Sequence, residues 1–327
     1  MGKTKNKFGN NWLALGVLVK RNIKLYMKDK MTVFFSVLAP IIVLLLYVLF
    51  LGDMQAESIL AMLQEQGVET VTIADVNALV NNWMISGVMG VSCITIALNA
   101  NIVMVRDRMT GNVNDVISAP VKRWVLYLSY IISCFLITFT ICLIVLALSI
   151  IYLAATGGLM MSFSDFLTIL CVMVISVFSS AFLMVLICSF IKTTGALGAL
   201  NSVFCTAIGF LIGAYLPFSM LPSYIQYIAC FIPGTYSAGL FRNYFMGGVI
   251  RHLQNGGVPQ DLIDGLLSDY SINLDFFRHP VTAGWMVFSI LISIVLFAVL
   301  LVIFYSNKRT NFFMIGKKLK KKKAKKS

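Results

Sequence analysis

The most chemically suggestive stretch of this chain is RDRMTGNVNDVISAPVKRW, residues 106–124, which interrupts two long apolar runs. Arg106, Asp107, Arg108 and Asp115 are too polar to rest in lipid, so the stretch is a loop. Its middle predicts one short helix. Asn112 is a candidate N-cap with Asp115 three residues on, an imperfect capping box because Asp stands where Glu or Gln is usual. Pro120 stops the helix, since the residue before a proline is pushed out of the α region. Val113, Val116 and Ile117 fall at i, i+3 and i+4, an apolar stripe of about two turns that fits a groove on another protein. The chemistry of such an element is docking, with no bond making or breaking. Taken alone, it also reads as an ordinary interhelical loop.

Other reactive constellations are missing from the sequence. It has no G-x-x-x-x-G-K-[ST] phosphate loop, no H-E-x-x-H and no Ser-His-Asp or paired-carboxylate set facing one site. The two histidines, in Arg251-His252 and Arg278-His279, have no second ligand clustered near them and read as solvated surface groups. Seven cysteines, Cys93, Cys134, Cys142, Cys171, Cys188, Cys205 and Cys230, all lie in apolar stretches with no redox or metal spacing, which predicts plain packing. The chain is therefore read as a non-enzyme with no metal or cofactor of its own. Any ATP that drives it is bound elsewhere.

Composition supplies the setting. With 59% apolar and 12% charged residues and a mean hydropathy of +0.89, the chain lies outside the range of soluble domains, which carry about 25% charged residues. It is an integral membrane protein. The net charge of +13 is concentrated at the termini and in the loop above, which points to membrane lipids as the partner and not to nucleic acid.

Residues 1–30 hold eight basic side chains against one acid, Asp29. Lys20, Lys24 and Lys28, with Arg21 beside them, share one helical face, while Trp12, Leu15, Val19, Ile23 and Tyr26 cover the other and Asn22 interrupts it. Such a helix lies in the headgroup layer. The first apolar run follows this long basic leader and is of spanning length, so no cleavable signal peptide is read. Six spans are predicted at about 31–51, 83–105, 125–155, 166–191, 195–216 and 281–305. Residues 52–82 carry five acids and no Lys or Arg, so by the positive-inside rule they face outward and both termini are cytoplasmic.

The uncharged run 193–241 sets the hardest topological choice: as one helix it would measure about 73 Å. Two crossings there would deliver the tail 306–327, with Lys308, Arg309 and eight further lysines, to the outer side against the charge rule. Residues 195–216 are therefore the fifth span and 217–241 an outer re-entrant hairpin, broken by Pro217, Pro222 and Pro233. Tyr236 and its neighbouring tyrosines suit the interface, and a polar outer segment with Gly247-Gly248 and Gly256-Gly257 breaks fills 242–280. No span holds Asp, Glu or His, which disfavours an ion-coupled carrier, although sodium sites can be built from carbonyls and hydroxyls. Gly209 and Gly213 form a GxxxG that lets the fifth span pack closely on a partner, a motif frequent by chance.

The order Arg106-Asp107-Arg108, Gly111, Asp115, Ser118, Pro120 and a basic residue before an apolar span resembles the loop between the second and third spans of type-2 ABC exporter permeases. That family has an acid-basic-acid triplet where this chain has basic-acid-basic. The run LPSYIQYIACFIPGTYSAGLFR, with Pro222, Pro233, Tyr236 and Arg242, is similar to the family's re-entrant region. The resemblance implies an all-α integral membrane protein of six transmembrane helices with an N-terminal interfacial elbow helix, a cytoplasmic coupling helix and an outer re-entrant helical hairpin before the last span. It implies a permease subunit in a bacterial cell membrane, dimeric with itself or a related permease, docked through 106–120 on a separate ABC ATPase subunit that binds ATP and Mg. It also places the second and fifth spans around the route, which makes Ser86, Thr95, Asn99, Asn201, Ser202 and Thr206 candidate pathway residues. The rival reading of those six is that they bond neighbouring helices. The expected cargo is a small amphipathic or lipid-like molecule exported from the cell. A polysaccharide or lipid-linked glycan exporter and an ion-coupled carrier stand as alternatives.

Overall fold

A computed structural model describes residues 5–66, 68, 71–119, 121–217, 220–270, 272, 274–276 and 279–306. Among these the chain is all-α apart from one small ribbon, and six helical stretches are long and apolar enough to cross a membrane. Helix α1 (Lys5–Lys28) leads into α2 (Lys30–Leu46), which passes through a π turn (Tyr47–Leu51) into α3 (Gly52–Glu65). Then come α4 (Ile73–Ala100), α5 (Ile102–Thr110), α6 (Asn112–Ser118), α7 (Arg123–Ala155), α8 (Phe163–Cys188) and α9 (Thr194–Leu211). Helices α10 (Ser223–Ala229), α11 (Pro233–Asn255) and α12 (Gln260–Asp269) precede the antiparallel strands β1 (Leu274–Phe276) and β2 (His279–Val281), and α13 (Ala283–Ser306) closes the chain. The tail beyond 306, with its predicted anchoring lysines, lies outside the described residues.

Helix ends follow local chemistry more closely than hydropathy. The second apolar helix starts at Ile73, ten residues before the expected 83, because Thr72 and Asp75 close a capping box: each bonds the other's backbone N–H. Residues 52–82, read only as an acidic loop, contain α3 and the first turns of α4. Helix α2 keeps Pro40 in its interior, where the ring removes one hydrogen bond of the ladder.

Helix α4 is the axis of the molecule, buried along nearly all its length and packed by α7, α8 and α11. Small residues permit the closest approach. A Cβ added at Gly90 would lie 2.9 Å from the Ala238 Cβ, and one at Gly248 only 2.0 Å from the Met160 carbonyl oxygen. Gly247-Gly248 is thus not a break: α11 runs through it and uses Gly248 to seat the loop before α8. The Gly209/Gly213 pair is not a helix-packing motif either. Helix α9 ends at Leu211, Gly213 takes a left-handed φ of +69°, and Gly209 is covered by the Tyr215 ring.

Candidate functional site

In the loop 106–124 two helices, α5 and α6, meet at a left-handed stop. Gly111, at φ +85°, ends α5 and serves as the N-cap of α6, a conformation that glycine adopts without a Cβ clash. Asn112, expected at the cap, is the first helical residue, and no side chain caps α6. The shift has a simple cause: the left-handed turn already redirects the backbone, and Asn112 Nδ2 turns back to Asp107 Oδ1 at 3.4 Å.

Consecutive residues on a helix point about 100° apart, and Arg106, Asp107 and Arg108 use this to reach three different places. Arg106 pairs with Asp29 at 2.8 Å, at the start of α2. Arg108 donates from Nη1 to the carbonyls of Cys188, Ser189 and Ile191 at 3.1, 2.7 and 2.7 Å, closing the end of α8. Asp107 is buried, and both its oxygens accept from the Arg21 guanidinium of α1 at 2.7 Å, while the Tyr130 hydroxyl of α7 donates at 2.8 Å. A two-pronged guanidinium contact plus a hydroxyl satisfies a carboxylate that burial would otherwise penalise by several kcal/mol, on the order of 3–5 once a partner is lost. The Asp107 carboxylate raises the Arg21 pKa above its ordinary value, and the Arg106 bond lowers that of Asp29.

The apolar stripe of α6 leans on its own chain. Val113 is buried and Val116 and Ile117 are half-buried against their own chain, Val116 on Leu15, Leu18 and Val125. Leu15 and Leu18 of α1 offer the nearer groove. The exposed face is Asn112, Asp115, Ser118 and Ala119. Ala119 is extended (φ −72°, ψ 154°), and Pro120 lies outside the described residues. Asn22, which interrupts the apolar face of α1, is buried and its amide reaches Ser129 and Ser133 of α7 at 3.4 Å.

Five of the six pathway candidates, Thr95, Asn99, Asn201, Ser202 and Thr206, line one cavity of about 860 Å³ between α2, α4, α9 and residues 215–216. Its wall is mainly aliphatic and aromatic and includes no Asp, Glu, Lys, Arg or His. Ser86 is elsewhere, buried and bonded to the Trp83 carbonyl. The hydroxyls of these candidates bond within their own helices. Thr95 donates to Val91, Ser202 to Gly198 and Thr206 to Ser202, each four residues back on its own helix.

Beyond this cavity the proline-rich turn has definite geometry. Pro217 is buried, Pro222 precedes α10 and Pro233 opens α11, where a missing N–H costs nothing. Thr235 and Tyr236 donate back to the carbonyls of Ala229 and Cys230 at 2.7 Å, tying α11 to the end of α10. The expected boundary between hairpin and outer segment at 241/242 falls inside α11. Arg242, read as the start of a polar stretch, is fully buried, bonded to the Gly213 carbonyl and 5.7 Å over the Trp83 ring. At the far end of α11, Arg251 and His252 are more than half exposed and pair with Asp165 at 2.6 Å and Asp75 at 3.2 Å. Among the described residues no cluster could hold a metal ion.

Residues Arg21, Tyr130 and Trp83 went unread as members of these arrangements. Tyr130 and Trp83 sit in apolar helical patterns and Arg21 on the basic face of α1, and only the long-range fold brings Asp107 to Arg21 and Tyr130 and Arg242 to Trp83.

Six apolar helical stretches, one of them containing the buried axis α4, define a multi-pass membrane protein. The chain belongs to the ABC-2 type transporter family, whose profile matches residues 14–246, from α1 into α11. The resemblance to type-2 ABC permeases therefore holds at the level of the family, and the chain is a membrane subunit of the transport type. No curated protein matches the chain.

Proposed function

We propose that this chain is the membrane subunit of an ATP-driven exporter, that two permeases assemble around the route, and that a separate ATPase docks on the outward face of α6. The single observation that carries the reading is how α5 and α6 are mounted. Arg106, Asp107 and Arg108 fasten the element to α1, α2, α7 and α8, while Asn112, Asp115 and Ser118 are left exposed beside it. A push on that polar face moves several helices at once. The cargo is small and amphipathic or lipid-like, because the cavity offers an apolar wall with scattered hydroxyl and amide groups and no charge. The chain sits in a cell membrane with both termini on the α6 side, where α1 and the end of α13 are found.

The test is reconstitution in proteoliposomes with and without the ATPase. Wild type transports only when ATP and the ATPase are present. Asp115→Arg lowers ATP-dependent transport and ATPase binding at least tenfold while the protein stays folded. Transport without any ATPase assigns the chain to ion-coupled carriers and ends this reading.

A further inference from the structure

The cavity is not the only unfilled space. A groove of about 700 Å³ runs between α1 and α7, lined by Trp12, Leu15, Gly16, Val19, Lys20, Ile23, Lys24 and Ile132. Its floor is apolar. Lys20 and Lys24 stand one helical turn apart on its rim and are exposed. Arg21, between them in sequence, is neutralised by Asp107, whereas neither lysine has an acidic partner among the described residues. Gly16 opens the floor further, since a Cβ added there meets nothing within 4 Å.

We propose that this groove holds one anionic phospholipid, with its phosphate between Lys20 and Lys24 and an acyl chain along Leu15, Val19 and Ile132. Two features select a lipid over a protein occupant. The pair of uncompensated lysines calls for an anion, and an ammonium on a flexible four-carbon stem reaches a headgroup while its stem lies on apolar surface. Ile132 lies nine residues beyond Arg123 (132 − 123) on a membrane-spanning helix, about 13 Å along the axis at 1.5 Å per residue, where a soluble partner does not reach. A bound lipid at this place would wedge α1 against α7, next to the Asp107–Arg21 pair.

Native mass spectrometry of the full chain in detergent, titrated separately with phosphatidylglycerol, phosphatidylcholine and inorganic phosphate, tests the proposal. Wild type binds phosphatidylglycerol in preference to phosphatidylcholine, and inorganic phosphate does not displace it. K20Q/K24Q weakens phosphatidylglycerol binding roughly thirtyfold, about fivefold per lysine, and leaves phosphatidylcholine unchanged. G16L keeps both lysines and favours helix, yet it fills the groove and weakens both lipids. Equal binding of the two lipids by wild type, or undiminished phosphatidylglycerol binding in K20Q/K24Q at an unchanged melting temperature, overturns the proposal. Undiminished binding in G16L removes the acyl chain from the groove, displacement by phosphate assigns the lysines to a free anion, and loss of a dimer mass in K20Q/K24Q assigns the groove to a second copy; each of these also overturns it.

Discussion

At the α5–α6 joint, polar side chains bond from one element to another; where α4 and α9 face the cavity, their hydroxyls bond within their own helix. Asp107 alone connects α1, α5, α6 and α7, and Arg108 adds α8. Thr95, Ser202 and Thr206 each return to a carbonyl four residues back. The difference separates a part that must move as one piece from a part whose helices can part without breaking side-chain hydrogen bonds. On the function proposed above, force belongs to the first and accommodation to the second.

Removing the hub is the most severe way to break the contrast. Asp107→Ala strands the Arg21 guanidinium and the Tyr130 hydroxyl, and we expect a loss of about 3 kcal/mol in thermal unfolding together with loss of transport. Arg21→Gln costs less, since Asp107 keeps Tyr130 and Asn112 and position 21 is partly exposed. An Asp107→Ala protein as stable as wild type would refute the rigid joint. Asp115→Arg comes next: transport drops at least tenfold with no change in melting temperature, because Asp115 is exposed and unneeded for packing.

Cavity changes are milder. Thr206→Val removes a bond to the residue's own helix, so stability shifts by less than about 1 kcal/mol while KM for the cargo changes; a large stability loss would show that α9 is held across helices after all. The smallest effect is that of pH on the Asp29–Arg106 pair. The Asp29 pKa is lowered in the folded chain, so its contribution is present above the ordinary carboxylate range, near about 4, and is lost as pH falls through the lowered value. The pair is partly exposed and contributes no more than about 1 kcal/mol. Melting temperatures of wild type and Asp29→Asn converge at low pH if this is right, and a constant gap would rule it out.

The sequence makes the spans legible because lipid imposes one coarse rule, about twenty apolar residues per crossing. Where each helix starts is a finer matter, and Thr72 and Asp75 carried that signal in a capping box that hydropathy passes over. The joint was legible as a charged break, but its interior was not. A buried Asp107 and an exposed Asp115 look alike in a string of letters, and only the return of α1 and α7 to the same place separates them. The stripe at Val113, Val116 and Ile117 packs in part on its own chain, a neighbour the sequence did not name, because periodicity shows which face is oily and not what lies against it. Arg242 failed for the opposite reason: charge in sequence suggests water, and here an aromatic ring and a backbone oxygen replace it.

Pro40 and Ser36 both belong to the cavity wall, and the proline ring cannot supply the amide hydrogen that a regular helix aims at the carbonyl four residues earlier. The main chain of α2 therefore presents the Ser36 oxygen as an acceptor without its usual donor. A wall helix missing one rung bends there more readily than elsewhere, a hinge beside the cavity that substitutions scanning serines and threonines would leave in place.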